Sequence, residues 1–449
     1  MGWQVNFPTV KNFRTILIID SAEKEYHTNK IIEQWDKILS IIFLSQKQKQ
    51  LVIEQNKKNI IYISADGMLE PLGYSQVLKY LLEISSEFEI TLISLEKKVD
   101  LSKSDFKQSI EDLCKIHNIK WVCLKYDNWP KLSSHLLNIL KLFFVVFFLL
   151  YKKQISLIHI RSYFPGIIMP ILLTVFDFKL IFDMRGLWAD EKHDRLGWSK
   201  KSYKYQFFKR LESFLLAKSV KIITLTNGLK RILIESRKIP ENKIEVIRTC
   251  TDPKEFFPIK ENKKNSLTIG YLGSADTAYN FEEVVKFFYN FLKFHENSIL
   301  KILSNLDSEE LSVLLKKHKI PRSTVKLNYA LRKELNREIN SFDLVVFYLK
   351  ENYSVIASMP TKIGEALSCG KPVVCNAFNR DISELIQNNH IGYLYNFKDE
   401  YRESTHKKII SLVNSETVES NCIKLAKREF DLISAAQKYL DIYKQVMEP

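Results

Sequence analysis

The chain has no CxxC pair and no cysteine–histidine spacing that would hold zinc. Its six cysteines, Cys114, Cys123, Cys250, Cys369, Cys375 and Cys422, stand singly. No disulfide framework is implied, and the thiols read as reduced ones of a cytosolic protein. The start, MGWQVNFPTVKNFR, lacks the compact basic-then-apolar layout of a signal peptide, and the nearby TILIID run is short and carries an acid, so export is not expected. The most apolar run, LFFVVFFLLY at residues 142–151, falls short of the ~20 residues that span a bilayer, even when extended back to Leu136 across Asn138 and Lys141. There is no internal repeat, no low-complexity tract and no RNP-like aromatic motif, which argues against a nucleic-acid partner.

What is present is length and basic charge. A chain of 449 residues with 46% hydrophobic content can build two domains with full cores. The net charge of +15 favours anionic lipids or acidic substrates as partners. Residues 1–56 are the least readable: residues 15–19 suit a strand, residues 30–54 have broken helical periodicity, and the segment is taken as an N-terminal extension of unknown role.

From residue 57 the pattern alternates strand and helix. A strand at 59–64, a glycine-bearing loop at 66–75, a helix from 76 and a strand at 90–95 form a Rossmann-like opening, whose ligands lie at the carboxyl ends of the strands. Strands at 156–160 and 179–184 each deliver an arginine, Arg161 and Arg185. Both should reach the cleft, unless each instead pairs with a carboxylate such as Asp183 for structure. Strands at 220–226 and 244–250 close a first domain over 57–250, and the polar, two-proline stretch 251–265 reads as a linker. A second domain over 266–400 opens with a strand and glycine loop at 266–274 and continues with strands at 298–304, 324–328 and 343–349. The tail, residues 401–449, is helical.

The organising stretch is residues 357–374, ASMPTKIGEALSCGKPVV. Pro360 suits a first helical turn, Gly370 the left-handed residue past a helix end, and Pro372 forbids continuation. This is a short helix feeding a buried strand. Lys362 falls in the first turn, where the helix dipole disfavours a cation unless an anion is bound nearby, and Glu365 follows on nearly the same side. A cation and free N–H groups at a helix start would bind phosphate, and the carboxylate could take two vicinal sugar hydroxyls. That combination suits a sugar nucleotide; the plainer alternative is two charges on a solvated helix face.

The stretch resembles the donor-binding segment of retaining glycosyltransferases of family 4, in the bacterial surface-polysaccharide branch with a Ser-x-Pro-Thr-Lys motif. The resemblance extends over residues 58–449 and implies an α/β GT-B fold: two Rossmann-like domains facing a central cleft, with a C-terminal helix crossing back to the first domain. It implies that Glu365 holds the donor ribose and that Ser358, Pro360, Thr361 and Lys362 line the donor site. Ala357 stands where the family commonly carries a second Glu. Residues 273–285 lack the Arg and Lys usually placed there, which leaves Lys362, with Gly273 and Ser274, to stabilise a departing diphosphate. The string DGMLEPLGYSQVLKYL resembles the branch's acceptor-side loop, where Gly67 would let the backbone approach the ligand and Gly73 would shape the turn.

FDMRGLWADEKHD resembles the same branch. Arg185 falls where many members place a His that touches the donor sugar. Trp188 would stack on a sugar face, and Asp190 would lie on the acceptor side, or with Glu191 simply open the next helix with favourable charge. The implied reaction moves a sugar from a nucleotide-diphosphate donor to a hydroxyl of a lipid-linked surface glycan, with Arg185, Lys362 and Arg161 as catalytic candidates. There is no DxD triplet, and neither a metal nor another cofactor is expected. The alternative is a non-catalytic binding or scaffold subunit of a polysaccharide assembly complex. The apolar run would be a helix packed on the sheet, or a patch dipping its phenylalanines into the inner face of the cytoplasmic membrane, with Lys141, Lys152 and Lys153 at its margins.

Overall fold

A computed structural model describes residues 57–449 apart from 128–130, 261–265, 276–277, 400 and 449. The expected extension at 1–56 lies outside the described residues. Residues 58–449 form one compact unit built on two parallel sheets. The first sheet contains β1 (Asn59–Ser64), β2 (Glu89–Lys97), β3 (Lys120–Tyr126), β4 (Leu157–Arg161), β5 (Lys179–Asp183), β6 (Lys221–Thr224) and β7 (Ile244–Val246), in the order β3-β2-β1-β4-β5-β6-β7. The second contains β8 (Thr268–Leu272), β9 (Ile299–Leu303), β10 (Val325–Asn328), β11 (Leu344–Val346), β12 (Val373–Cys375) and β13 (Gly392–Leu394), in the order β10-β9-β8-β11-β12-β13.

Both sheets are doubly wound, so the order reverses at β1/β4 and at β8/β11, and a crevice opens at the carboxyl ends there. The central strands are continuous apolar runs because helices cover both faces. The sequence pattern missed β3 and β13, which each lie at one edge of their sheet. Neither has a fully buried residue, so neither carries the apolar signature of the centre.

Only the last helix, Leu432–Met447, crosses back. It buries Leu432, Tyr439, Tyr443 and Met447 in the first-domain core. The helices Glu403–Val413 and Glu416–Glu429, expected to go with it, instead bury Ile409, Cys422 and Leu425 in the second-domain core. The crossing is pinned by Thr251, whose N–H donates to Phe430 O at 2.7 Å and whose carbonyl accepts from Leu432 N at 3.1 Å. Asp431 caps the last helix by accepting from Ser434 N at 2.8 Å. The apolar run is part of a helix, Lys131–Lys152, whose Leu142, Val146 and Leu150 are buried under the first sheet.

Candidate functional site

In the second domain, the chain leaves β11 and enters the helix Thr361–Ser368. Pro360 sits one position earlier than expected, at the cap, with φ −64° and ψ 131°, and no side chain caps the first N–H groups. Lys362, the second helical residue, is only 5% exposed. Among the described residues its Nζ has no hydrogen-bond partner, and it lies 3.5 Å from the Tyr279 ring centroid and 4.8 Å from that of Tyr271. Gly273, past the end of β8, has φ +95°, and a Cβ there would stand 3.3 Å from Lys362 Nζ. The backbone conformation favours glycine there, and a Cβ would also crowd the amine. Burial holds the Lys362 pKa down to about 7, with Glu365 acting in the opposite direction.

Glu365 lies one turn on, its side chain 15% exposed, and Arg332 Nη1 stands 4.0 Å from its carboxylate. Burial raises the Glu365 pKa, while Arg332 and Lys362 pull it down. Arg332 is itself held by Glu255, through Nε at 2.8 Å and Nη2 at 2.6 Å, and lies over the Phe256 ring at 5.4 Å. The Ser358 carbonyl accepts from Asn379 Nδ2 at 3.0 Å, and the Ser274 carbonyl from the Tyr271 hydroxyl at 2.8 Å. A groove of about 870 Å³ lies beyond Tyr279, where Glu282, Asp307, Glu309 and Glu310 outnumber Lys317 and Lys350 along the lining, a balance that disfavours a diphosphate.

In the first domain the parallel register sets Arg161 of β4 opposite Asp183 of β5. Arg161, 2% exposed, donates from Nε to Asp66 at 3.0 Å and from Nη1 to Asp183 at 3.4 Å. Asp183 also accepts from the Tyr439 hydroxyl at 3.3 Å. His159 Nδ1 and the Tyr443 hydroxyl are 2.6 Å apart, and burial, with Arg161 and Arg185 nearby, pushes the imidazole pKa well below its usual value. The crossing helix thus completes a buried polar cluster under the carboxyl ends of the strands. Arg185 is different. It adopts the left-handed conformation, φ +56°, rare for a side chain of this size. Among the described residues its Nη1 has no hydrogen-bond partner, and Asp183 Oδ1 stands 3.7 Å away.

Residues 252–429 match the family model described as "Glycosyl transferases group 1", and residues 88–255 match "Glycosyltransferase Family 4". The two meet at the domain boundary. No curated protein matches the chain. Among solved structures, the chain is similar to the sucrose-phosphate synthase of Thermosynechococcus elongatus (TM-score 0.65, 13% identity, 87% of this chain and 99% of that one). It is similar to a glycosyltransferase from Rickettsia africae (TM-score 0.63, 15% identity, 88% and 99%), and to Anabaena HepE in complex with UDP (TM-score 0.59, 14% identity, 86% and 100%). The chain carries matches to both of these glycosyltransferase domains, in the fold of the solved structures.

Several of the expected site residues have partners within the protein. Arg161 is consumed by its two carboxylates, as the structural alternative held. Gly67 is buried: a Cβ there would fall 2.4 Å from Glu96 Oε2, and one on Gly73 would fall 1.9 Å from the Gly67 carbonyl oxygen. The space beside Gly67 is therefore filled by protein, with Glu96 accepting from Met68 N at 2.6 Å and Leu69 N at 3.1 Å. Trp188 packs on Phe208, ring centroids 4.2 Å apart, with Lys192 over its ring at 5.0 Å. Asp190 accepts from the Tyr205 hydroxyl at 2.7 Å and Lys209 at 3.1 Å. Both side chains thus have partners within the first domain.

The position of the missing Glu is also explained. Ala357 is fully buried in the first-domain core, although it belongs to the second domain in sequence. The preceding turn docks across the cleft: Thr226 Oγ1 donates to Ile356 O at 3.0 Å, and Ser354 donates from N at 3.0 Å and Oγ at 2.5 Å to Asp194. A carboxylate at 357 would enter an apolar seam. Nearby, Asp381 accepts from Asn227 N at 2.7 Å and Gly228 N at 2.8 Å, so a second-domain side chain caps the first-domain helix Asn227–Arg237. Tyr271, Tyr279, Arg332, Glu96 and Asp381 escaped sequence reasoning. Each acts on a residue distant in sequence, and none lies in a motif that marks it.

Proposed function

We propose that this glycosyltransferase moves a sugar, with retention, from a nucleotide-diphosphate sugar to a hydroxyl of a lipid-linked bacterial surface glycan. The observation that carries the donor reading is Lys362: a buried amine without a hydrogen bond among the described residues, beside Gly273, at a helix start, with Glu365 one turn on. An isolated buried cation is costly, and a diphosphate would relieve that cost. The uncapped N–H groups of the helix would add to the same site. Glu365 would then accept both ribose hydroxyls, steadied by Arg332. The similar structures of Anabaena HepE hold UDP, UDP with glucose, and UDP-glucose, which favours a uridine donor here.

In the reaction, the bond between the anomeric carbon and the diphosphate oxygen breaks and its electron pair stays on the phosphate, where Lys362 and the helix start stabilise the charge. The acceptor oxygen bonds the anomeric carbon on the same face, and its proton passes to the leaving phosphate. Arg185, with one guanidinium nitrogen unbonded, orients the sugar. This path draws on no metal. A similar structure is a lipopolysaccharide outer core galactosyltransferase, WaaB, which agrees with a surface-glycan acceptor.

The test is thermal stabilisation across a panel of sugar nucleotides, followed by nucleotide release with extracted lipid-linked glycan as acceptor. A donor should stabilise the protein and release nucleotide only when acceptor is present. Stabilisation without turnover under any acceptor would favour the binding-subunit reading, and no stabilisation by any sugar nucleotide would remove the donor site.

A further inference from the structure

A run of charges joins Glu365 of the second domain to the first domain. Lys79 opens the first-domain helix Lys79–Ile84, shortly after the loop at 66–75. Its Nζ donates to Asp252 Oδ2 at 2.6 Å and stands 3.1 Å from Glu255 Oε1. The other oxygen of Glu255 serves the second domain: Arg332 Nε and Nη2 stand 2.8 and 2.6 Å from Oε2. That leaves Nη1 of Arg332 toward Glu365, at 4.0 Å, too far for a hydrogen bond but close enough for charge to act. One linker carboxylate thus divides its two oxygens between the domains.

The turn that carries Glu255 is itself fixed from both sides. Gln76 of the first domain donates to Cys250 O at 2.7 Å and accepts from Cys250 N at 3.1 Å. Phe257 N donates to Asn336 Oδ1 of the second domain at 3.1 Å, and Thr251 Oγ1 lies 2.9 Å from Ser368 Oγ, on the same helix as Glu365. Between these anchors Glu255 N and Phe256 N both donate to Asp252 O at 2.9 Å. Besides the Phe256 ring, the Arg332 guanidinium meets that of Tyr74 from the first domain at 6.0 Å, and Lys79 lies over the same Tyr74 ring at 5.3 Å. Side-chain exposure along the run is 19% at Lys79, 26% at Glu255, 24% at Arg332 and 15% at Glu365, so solvent screens these charges only in part.

We infer, on the reading of Glu365 as the ribose ligand, that Arg332 is a positioning residue for ribose recognition and that Lys79, through Glu255, places this recognition under the control of the first domain. A carboxylate that takes two vicinal hydroxyls must be ionised and held in one orientation. Burial works against the charge of Glu365, and Arg332, ahead of Lys362, restores it. The planar guanidinium can do this from a fixed direction because Glu255 grips its far edge. Lys79 and Arg332 share that grip, so removing Lys79 leaves Glu255 to Arg332 and draws the guanidinium away from Glu365. A change in the first domain that moved Lys79 would therefore reach the ribose without touching the nucleotide.

The test uses the full chain and calorimetric affinities for UDP and its 2′,3′-dideoxy counterpart, with the same pairs for GDP and ADP. Wild type prefers the ribo form of its nucleotide by about tenfold or more. Arg332→Met and Lys79→Met each cut that preference by about threefold, while affinity for the dideoxy form stays level, which a general loosening of the site would not allow. Because the two residues act in one run, Lys79→Met has no further effect in the Arg332→Met background. Lys254→Met, an exposed linker cation outside the run, behaves as wild type. Should Lys79→Met not fold, Glu255→Gln reads the same link. A ribo preference that survives in both Arg332→Met and Lys79→Met overturns this inference alone and leaves Glu365 at the ribose. Loss in Arg332→Met with none in Lys79→Met, or additive losses in the double variant, overturns the link to the first domain. Equal binding of ribo and dideoxy forms by wild type, or binding of no pair, overturns the ribose reading and this inference with it.

Discussion

At the carboxyl end of the first sheet, Arg161 meets Asp66 and Asp183, and Asp183 meets the Tyr439 hydroxyl. At the carboxyl end of the second, Lys362 meets two aromatic rings and, among the described residues, no hydrogen-bond acceptor. Both cations are buried, and strand topology puts both where ligands bind. The difference lies in what surrounds them. A buried cation that already has its carboxylates contributes to the folded state, and its removal leaves an uncompensated anion behind. A buried cation with none is held at a cost that an arriving anion relieves. Position in an α/β sheet nominates a residue for ligand binding; the partners decide.

The largest expected effect breaks the paired side. Arg161→Met leaves Asp183 buried with a weaker partner and should cost about 3–5 kcal/mol of stability, measured by urea unfolding. Lys362→Met in the same assay should leave stability level or higher while nucleotide binding is lost. Equal destabilisation by both substitutions would erase the contrast between the two ends.

Glu365→Gln comes next. Losing charge-assisted hydrogen bonds to a ribose should weaken donor binding by about 1.5–3 kcal/mol with folding unaffected. Calorimetric titration reads it directly, and an unaltered affinity would take Glu365 out of the ribose site.

The pH dependence sharpens the same comparison. The Lys362 pKa is about 7 in the folded protein against 10.5 ordinarily, so between these values the unfolded chain binds more protons than the folded one. Stability of the free protein from this group should therefore rise with pH across that window. Donor binding should run the other way. Above pH 7 the amine must take up a proton to meet the diphosphate, and affinity should fall by up to about tenfold per pH unit, or ~1.4 kcal/mol. Lys362→Arg, permanently charged, should flatten that slope; a wild-type slope already flat from pH 7 to 9 would count against an amine that gains its charge with the ligand.

The smallest effect concerns the seam. Asp381→Ala removes a cap from the helix Asn227–Arg237 and should cost about 0.5–2 kcal/mol. Because the cap crosses between domains, small-angle scattering should show the variant more open on average. Lower stability without expansion would mean that the other seam contacts hold closure alone.

The fold was legible because its signals are local. Buried parallel strands read as apolar runs, glycine loops and caps punctuate them, and Pro360, Gly370 and Pro372 bracket the helix of Lys362 within a dozen residues. The edge strands β3 and β13 were illegible for the complementary reason: half-covered strands do not need the apolar run. The site was legible only where one short segment carries it, as with Lys362 and Glu365. Trp188 and Asp190 looked like ligand contacts because a strand-end loop with an aromatic and an acid has the composition of a site, and nothing nearby in sequence shows that Phe208, Tyr205 and Lys209 would use them.

The sequence by itself determined two doubly wound domains, the short helix of the donor segment and the pairing of Lys362 with Glu365 one turn apart, because helical periodicity, turn chemistry and side-chain alternation act over a few residues. Only the tertiary structure decided which buried charges are satisfied. Arg161 is neutralised by a neighbouring strand and a loop 95 residues away, and the cluster around it is completed by hydroxyls from a helix that begins at Leu432. Lys362 faces rings from β8 and the loop after it, and Ala357 is buried by the opposite domain. Desolvation and pairing depend on what the chain brings from far away, and so they become fixed only when both sheets and the crossing helix are in place.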